Sequence, residues 1–103
     1  PGTPRQERTE EEVPSKGKAD FEARKEINKR IRKVQREVEA CEKEVEELEA
    51  RKAEMDQLMS APGSADQMQK VFEEYESTNR RLGELMHQWE VLHNELEELE
   101  DQL

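Results

Sequence analysis

The sequence predicts an all-α protein, an antiparallel two-helix coiled-coil hairpin preceded by a disordered N-terminal tail. Two runs of apolar residues repeat with alternating steps of four and three, which is the heptad pattern of a coiled coil. A Pro-Gly step lies between the runs, and such a short connection makes two helices antiparallel neighbours. Only 31% of the 103 residues are hydrophobic and 43% are charged, which suits a narrow helix–helix interface better than a thick core.

The predicted tail covers residues 1–19. It contains Pro1, Pro4 and Pro14, an acidic run at 10–12 and no hydrophobic period, a composition typical of a solvated linker. Because the chain begins with proline rather than methionine, we expect it to be a fragment of a longer protein. It shows no signal peptide and no apolar run of transmembrane length, so we expect it to be soluble and cytoplasmic.

The first helix is predicted over residues 20–59, with Asp20 as its N-cap. Pro62 and Gly63 end it within a tip loop over residues 60–64. The apolar residues of this helix occupy heptad positions a and d, and these positions of both helices together are called the seam. The seam residues of the first helix are Ile27, Ile31, Val34, Val38, Cys41, Val45, Leu48, Met55 and Met59.

The second helix is predicted over residues 65–103. Ser64, with Gln67 three residues later, has the form of a capping box, which marks the start of a helix. Trp89 is its largest seam residue, and we expect the ring to pack in the core. The seam residues of this helix are Val71, Tyr75, Thr78, Leu82, Leu85, Trp89, Leu92, Leu96, Leu99 and Leu103.

Charged residues beside the seam predict one alignment of the helices. A tight fold about the loop sets Cys41 against Leu82, and three of the four flanking pairs at heptad position g then carry opposite charges. A slip of one heptad would instead oppose Glu37 to Glu95 and Arg51 to Arg81, which is repulsive. The four pairs of the tight alignment are Arg30–Glu95, Glu37–Gln88, Glu44–Arg81 and Arg51–Glu74.

We expect no catalytic site and no metal site in this chain. It has no glycine-rich phosphate loop, no nucleophile–base set and no Cys/His cluster. Glu90 and His93 match the spacing of di-iron helical bundles, but heptad positions b and e do not point inward. The one cysteine, Cys41, lies in the seam, where a thiol behaves as a small hydrophobic group.

The charge distribution indicates one candidate binding surface. The net charge is −10, yet residues 20–36 hold seven Lys or Arg against three Asp or Glu, a local net charge of +4. Five of these bases fall on the outward face of the first helix, whereas Glu98 and the neighbouring acids are expected on the outward face of the second. Closely spaced cations on one helix face suit phosphate binding, although a solvated face is an equally valid interpretation. The five, called the basic face, are Lys25, Lys29, Arg32, Lys33 and Arg36.

A weaker candidate is a second apolar stripe on the second helix. Phe72 and Met86 share heptad position e with Asn79 and His93. This stripe is suited to docking another protein domain or to self-association with a second copy of the hairpin.

Several segments together resemble the C-terminal coiled-coil domain of ABC-F ATPases. The entry 19–31, which begins Ala-Asp-Phe-Glu-Ala-Arg-Lys-Glu, is similar to the start of the first helix in that family. The segment 48–55 and the tip residue Pro62 match the approach to the tip. The order of Tyr75, then Thr78 and Arg81-Leu82, then Trp-Glu-Val-Leu at 89–92 matches the return helix. The resemblance covers about residues 19–100.

The resemblance implies a parent protein in which two ATP-binding cassettes, with ATP and Mg²⁺, precede this hairpin, residues 1–19 being the linker. It implies that the parent ATPase acts at the ribosome or on nucleic acid rather than in a membrane. The hairpin would then be a non-catalytic accessory domain that contacts DNA or ribosomal RNA through its first helix. The alternative is a structural arm for protein–protein interaction or dimerisation.

Overall fold

The computed structural model describes the backbone of residues 3–61 and 63–103 and the side chains of residues 17–61 and 63–103. Two helices account for nearly all of it: α1, Thr3–Ser60, and α2, Ala65–Asp101. The helices fold back on each other and pack along the length of α2, and the described residues contain no strand. The predicted all-α hairpin is confirmed. At 1.5 Å per residue, α2 is roughly 55 Å long.

The predicted start of the first helix at Asp20 is wrong. Gly17, Lys18 and Ala19 are already helical, so Asp20 lies inside α1. Within a continuing helix the N–H groups that follow Asp20 bond to backbone carbonyls of the preceding turn, and none is left for its side chain to cap. For the rest of the predicted tail, residues 1–16, no side chain is described, and its disorder stays a prediction although the backbone from Thr3 is continuous with α1.

The tip has the predicted chemistry with a shift of one residue. Ser60 belongs to α1, and the Ala61 N–H donates to the Leu58 carbonyl at 3.3 Å, a tighter turn that ends the helix. The Gln67 N–H donates to Ser64 Oγ at 3.1 Å, and the Ser64 N–H donates back to Gln67 Oε1 at 3.3 Å. This reciprocal pair is the predicted capping box, and it fixes the start of α2 at Ala65.

The second helix ends two residues before its predicted limit. Asp101 is the last helical residue, and Gln102 is the C-cap. Leu103 therefore lies beyond the helix, where the heptad no longer directs its side chain to the partner helix, and 53% of its surface is exposed.

The buried residues of the described chain all belong to the predicted seam. The largest cluster lies in the half of the hairpin far from the tip, called the open end, with Ile27, Trp89 and Leu96 packed against it. Leu85 is only 2% exposed, and truncating a leucine buried to this degree costs roughly 2–5 kcal/mol. The buried residues are Ile31, Val34, Val38, Cys41, Met55, Thr78, Leu82, Leu85, Leu92 and Leu99.

Cys41 is a buried thiol, as the seam predicts. It is 4% exposed, and its Sγ donates to the backbone carbonyl of Leu85 at 3.2 Å. Burial raises the pKa of this thiol above its ordinary value, and the nearby Glu44 carboxylate raises it further. The group is therefore held as a neutral thiol that joins the two helices.

The predicted alignment is confirmed by three ion pairs across the helices. The Arg81 guanidinium donates to both carboxylate oxygens of Glu44, at 2.7 and 3.1 Å. Arg51 makes the same two-point contact with Glu74, at 2.7 and 3.0 Å. At the open end, Arg30 lies 3.5 Å from Glu95.

One seam position carries a charged residue, Lys52. Its Nζ lies 5.5 Å from the centroid of the Tyr75 ring, a distance at which the π face attracts a cation. The contact accounts for how a lysine occupies an a position of the seam.

We predict that the pair Arg81–Glu44 contributes to alignment by charge rather than by shape. Glu44→Arg should lower the thermal midpoint of unfolding, and adding Arg81→Glu should restore most of it, because the exchanged charges attract again. Glu46→Arg, the same change at an exposed position on the opposite flank of α1, serves as the control. Absence of coupling in the double-mutant cycle, measured by circular dichroism, would contradict the observed register.

A second prediction concerns acid. The hydrogen bonds from Arg81 and Arg51 lower the pKa values of Glu44 and Glu74 below the ordinary value of 4.5. Their contribution to stability is present above about pH 4.5 and is lost as the pH falls through the lowered values. Glu44→Gln should therefore be less stable than the original chain at neutral pH, and the difference should close in acid. A difference that stays constant with pH would show that the ion pair contributes nothing.

A third prediction concerns Gly83, an exposed residue in the middle of α2. A Cβ added there would meet no atom within 4 Å. Gly83→Ala should therefore raise the free energy of unfolding by about 0.5–1 kcal/mol through helix propensity alone. Gly63→Ala, outside both helices, should bring no such gain in chemical denaturation. A loss of stability for Gly83→Ala would show that this face of α2 is covered in solution.

Candidate nucleic-acid interface

All five side chains of the basic face are exposed. They occupy one segment of α1 from Lys25 to Arg36, which spans roughly 16 Å of helix axis. α1 positions them because its seam residues Ile31 and Val34 are buried against α2, which leaves the polar positions between them in solvent. The segment lies at the open end of the hairpin, away from the tip.

A shallow groove runs between the helices at the open end, with a volume of about 660 Å³. One wall is basic and the other acidic, and apolar side chains form part of its floor. The α1 wall consists of Lys29, Arg30, Lys33 and Arg36; the α2 wall carries Glu95 and Glu98; Ile27 and Leu99 contribute the apolar part.

The groove corrects the expected position of Glu98. This residue was expected on the outward face of α2, away from the bases of α1, whereas it lines the same groove as Lys29 and Lys33. The reason is geometric: positions c and g lie on the same flank of a helix, and in an antiparallel pair these flanks meet on one side. The acidic wall therefore opposes anion binding in this groove.

The groove takes in only part of the basic face. Lys29, Lys33 and Arg36 border it, whereas Lys25 and Arg32 do not. Heptad positions b, f and c follow one another around a helix, within about 100° at 3.6 residues per turn, and all five side chains are exposed. The five predicted site residues therefore share one outward face of α1, with Lys33 on its groove edge and Lys25 and Arg32 on its opposite edge.

Arg30 is a groove residue that the sequence-based set omits. It was assigned to the flanking pair with Glu95, and that pair is present at 3.5 Å. Its side chain nevertheless remains 68% exposed and lines the groove beside Lys29 and Lys33. The sequence already indicated this position for Arg30, because a residue at heptad position g borders both the partner helix and the solvent.

Trp89 lies at the edge of the seam rather than fully inside it. Its ring is half-buried and lies against His93, with ring centroids 3.9 Å apart and planes tilted by 44°. Together with Glu90, Asn94 and Glu97 the two rings line a hollow of about 320 Å³ on the outside of α2. The hollow combines aromatic surface with two carboxylates.

Phe72 and Met86 are exposed, as expected for residues outside the seam. The exposed fractions are 53% and 56%. They lie fourteen residues apart, about four helical turns, with the polar Asn79 between them. The stripe is therefore two separate apolar spots and not a continuous patch.

Residues 17–61 and 63–103 contain no group of three or more acidic, histidine or cysteine side chains that could hold a metal ion. In the part of the chain that the structure describes, no helix is long and apolar enough to cross a membrane.

Comparison with known proteins places the hairpin in a family. The family described as the ABC transporter C-terminal domain matches residues 29–94, a span that includes most of the packed part of α1, the tip and most of α2. No curated protein and no solved structure matches the chain. The matched span covers more than half of the 103 residues and holds most of the seam, the pairs Glu44–Arg81 and Arg51–Glu74, and most of the basic face. The chain therefore belongs to the ABC transporter C-terminal domain family.

Proposed function

We propose that this chain is a non-catalytic accessory domain of an ABC-F ATPase and that it contacts nucleic acid weakly through its basic face. The observation that carries the proposal is the run of five exposed cations over residues 25–36 of an otherwise acidic coil. Among the ion pairs recorded for the described residues, none uses any of these five side chains.

Exposed cations of this kind bind polyanions chiefly by releasing condensed counterions from the phosphate backbone. The length of the segment suits several successive phosphates of one strand. Such contacts position a nucleic acid without reading its bases, and the lysines and arginines here project from a convex helix face. We therefore propose binding to DNA or ribosomal RNA without sequence preference.

The surroundings of the basic face limit its affinity. Glu95 and Glu98 share the groove with Lys29 and Lys33, and the net charge of −10 repels a polyanion. We expect a dissociation constant at the micromolar level or weaker for the isolated hairpin. In the cell, further contacts from the ATPase cassettes would have to supplement it.

The assignment to the ABC-F branch rests on the sequence motifs, with the family match as support for the broader class. In this proposal ATP and Mg²⁺ belong to cassettes elsewhere in a longer protein. The residues present here do not fit these cofactors, because the four glycines at 2, 17, 63 and 83 are isolated and form no phosphate loop. Contact with the ribosome and a cytoplasmic location are parts of the same proposal.

A second candidate function is a protein-docking or dimerisation arm. It is favoured by the exposed Phe72 and Met86, whose side chains are more than half accessible. Docking through these two apolar side chains would depend little on salt, whereas phosphate binding must weaken as salt rises.

We predict a measurable but salt-sensitive affinity for nucleic acid. In fluorescence anisotropy with labelled DNA or RNA, three to five phosphate contacts should give a log–log salt slope of about −3 to −4.5. Lys29→Glu with Lys33→Glu should abolish the binding without melting the coil, because both residues lie outside the seam.

Lys43→Glu with Lys70→Glu provides the matched control. It changes the net charge by the same amount at exposed positions away from the basic face, and it should leave most of the affinity intact. Equal binding by the Lys29/Lys33 variant and the original chain, or no binding at low salt, would overturn the proposal in favour of the docking arm.

A further inference from the structure

One flank of the open end, formed by heptad positions e and b of both helices, carries a pattern of charges that no contact within the hairpin uses. On α1 this flank presents Lys25 and Arg32, and on α2 it presents Glu90 and Glu97. All four side chains are exposed, and none takes part in the ion pairs of the described residues. The flank is basic on one helix and acidic on the other.

We propose that this flank is a self-association surface, on which a second copy of the hairpin packs with its α1 against α2 of the first. The surface is called the e/b flank. The partner is a second copy because the flank is complementary to itself: each copy offers one basic and one acidic edge. A two-fold axis parallel to the hairpin brings the basic edge of each copy onto the acidic edge of the other.

The positions of the charged residues along the hairpin axis match this arrangement. The register pair Arg30–Glu95 fixes how far α2 is shifted along α1. In this register Lys25 lies level with Glu97, and Arg32 with Glu90, to within a helical turn. Lys25 and Arg32 are seven residues apart on α1, about two helical turns, and Glu90 and Glu97 have the same spacing on α2. A partner related by this axis therefore makes both contacts at once.

The alternative two-fold axis, perpendicular to the hairpin, gives the opposite result. It places α1 over α1 and α2 over α2, so Lys25 and Arg32 approach the bases of the other copy, and Glu90 and Glu97 approach its acids. Like charges then face each other across the interface, which is unfavourable. The charges therefore select parallel hairpins, in which neighbouring helices of the two copies run antiparallel.

The residues at position e, nearest the middle of the e/b flank, are mostly without carboxylate or ammonium groups. Asn28 and Gln35 lie on α1, and His93 lies on α2 beside the Trp89 ring, with the acidic Glu100 at the outer limit. A centre depleted of charge with aromatic side chains is the usual composition of an interface core. The hollow beside Trp89 is large enough to receive a side chain from the partner.

The same flank changes character toward the tip. There α1 presents Glu39, Glu42, Glu46 and Glu49, with no basic residue on the α2 side to match them. Two copies would repel each other along this half. The proposed contact is therefore confined to the open end, and its small area makes the association weak and dependent on salt.

Two charge-reversal variants test the proposal, measured by sedimentation equilibrium at low salt without nucleic acid. The first is Lys25→Glu with Arg32→Glu, and the second is Glu90→Lys with Glu97→Lys. Each places like charges on both edges, so each alone should weaken self-association by roughly tenfold or more. Mixed together, they should form a heterodimer at least as well as the original chain, because both edges attract again.

A matched control separates this contact from net charge and from the proposed function. Lys29→Glu with Lys33→Glu lowers the charge as much as the first variant, but on the groove side. It should self-associate like the original chain while losing nucleic-acid binding, and it should not pair well with the second variant. Circular dichroism confirms that each variant remains helical.

Three outcomes would overturn the proposal. The original chain could remain monomeric at millimolar concentration and low salt, the two variants could self-associate as well as the original, or their mixture could remain monomeric. None of these outcomes bears on the Lys29/Lys33 test of nucleic-acid binding, so the two proposals fail separately.

Discussion

The alignment of α1 with α2 is the constraint on which every surface of this protein depends. Burial of the seam drives the helices together, but apolar residues repeating every heptad tolerate a slip of seven residues. The two-point contacts of Arg51 with Glu74 and of Arg81 with Glu44 oppose such a slip. Exposed ion pairs contribute little to stability, yet they are sufficient to distinguish alignments of similar burial. The ion pairs on the flanks therefore select the alignment of the two helices, and burial of the seam stabilises the hairpin.

That alignment also determines how the charges combine. The basic segment of α1 lies beside the acidic end of α2, so each flank of the open end has one edge of each sign. On the groove side the opposed charges face each other within one molecule, as Arg30 and Glu95 do. On the e/b flank they remain apart and exposed. A single register thus joins one base to one acid across the groove side, while the charges of the e/b flank at the open end take no part in the ion pairs of the described residues.

The sequence was sufficient to predict the architecture because a coiled coil is defined by local periodicity and pairwise charge. The seam, the Ser64 capping box and all three cross-helix ion pairs follow from those two kinds of information. Two wrong predictions concerned residues whose positions depend on more than the heptad repeat. Asp20 resembles a cap, but nothing local to it shows that the preceding residues are helical. The position of Glu98 was predicted wrongly because heptad positions b, c and f of α2 were all taken to face away from α1. Position c lies on the same flank as g, so Glu98 lines the groove between the helices.

The buried contact between Cys41 and Leu85 has a consequence for how this rod can be observed in motion. Nucleophilic attack by sulfur requires the thiolate, which burial and the neighbouring Glu44 disfavour in the closed hairpin. Any modification of the thiol must therefore wait until the helices part locally and water enters. The rate of its alkylation is then set by how often that opening occurs. The rate at which Cys41 is alkylated therefore reports how often the two helices separate locally.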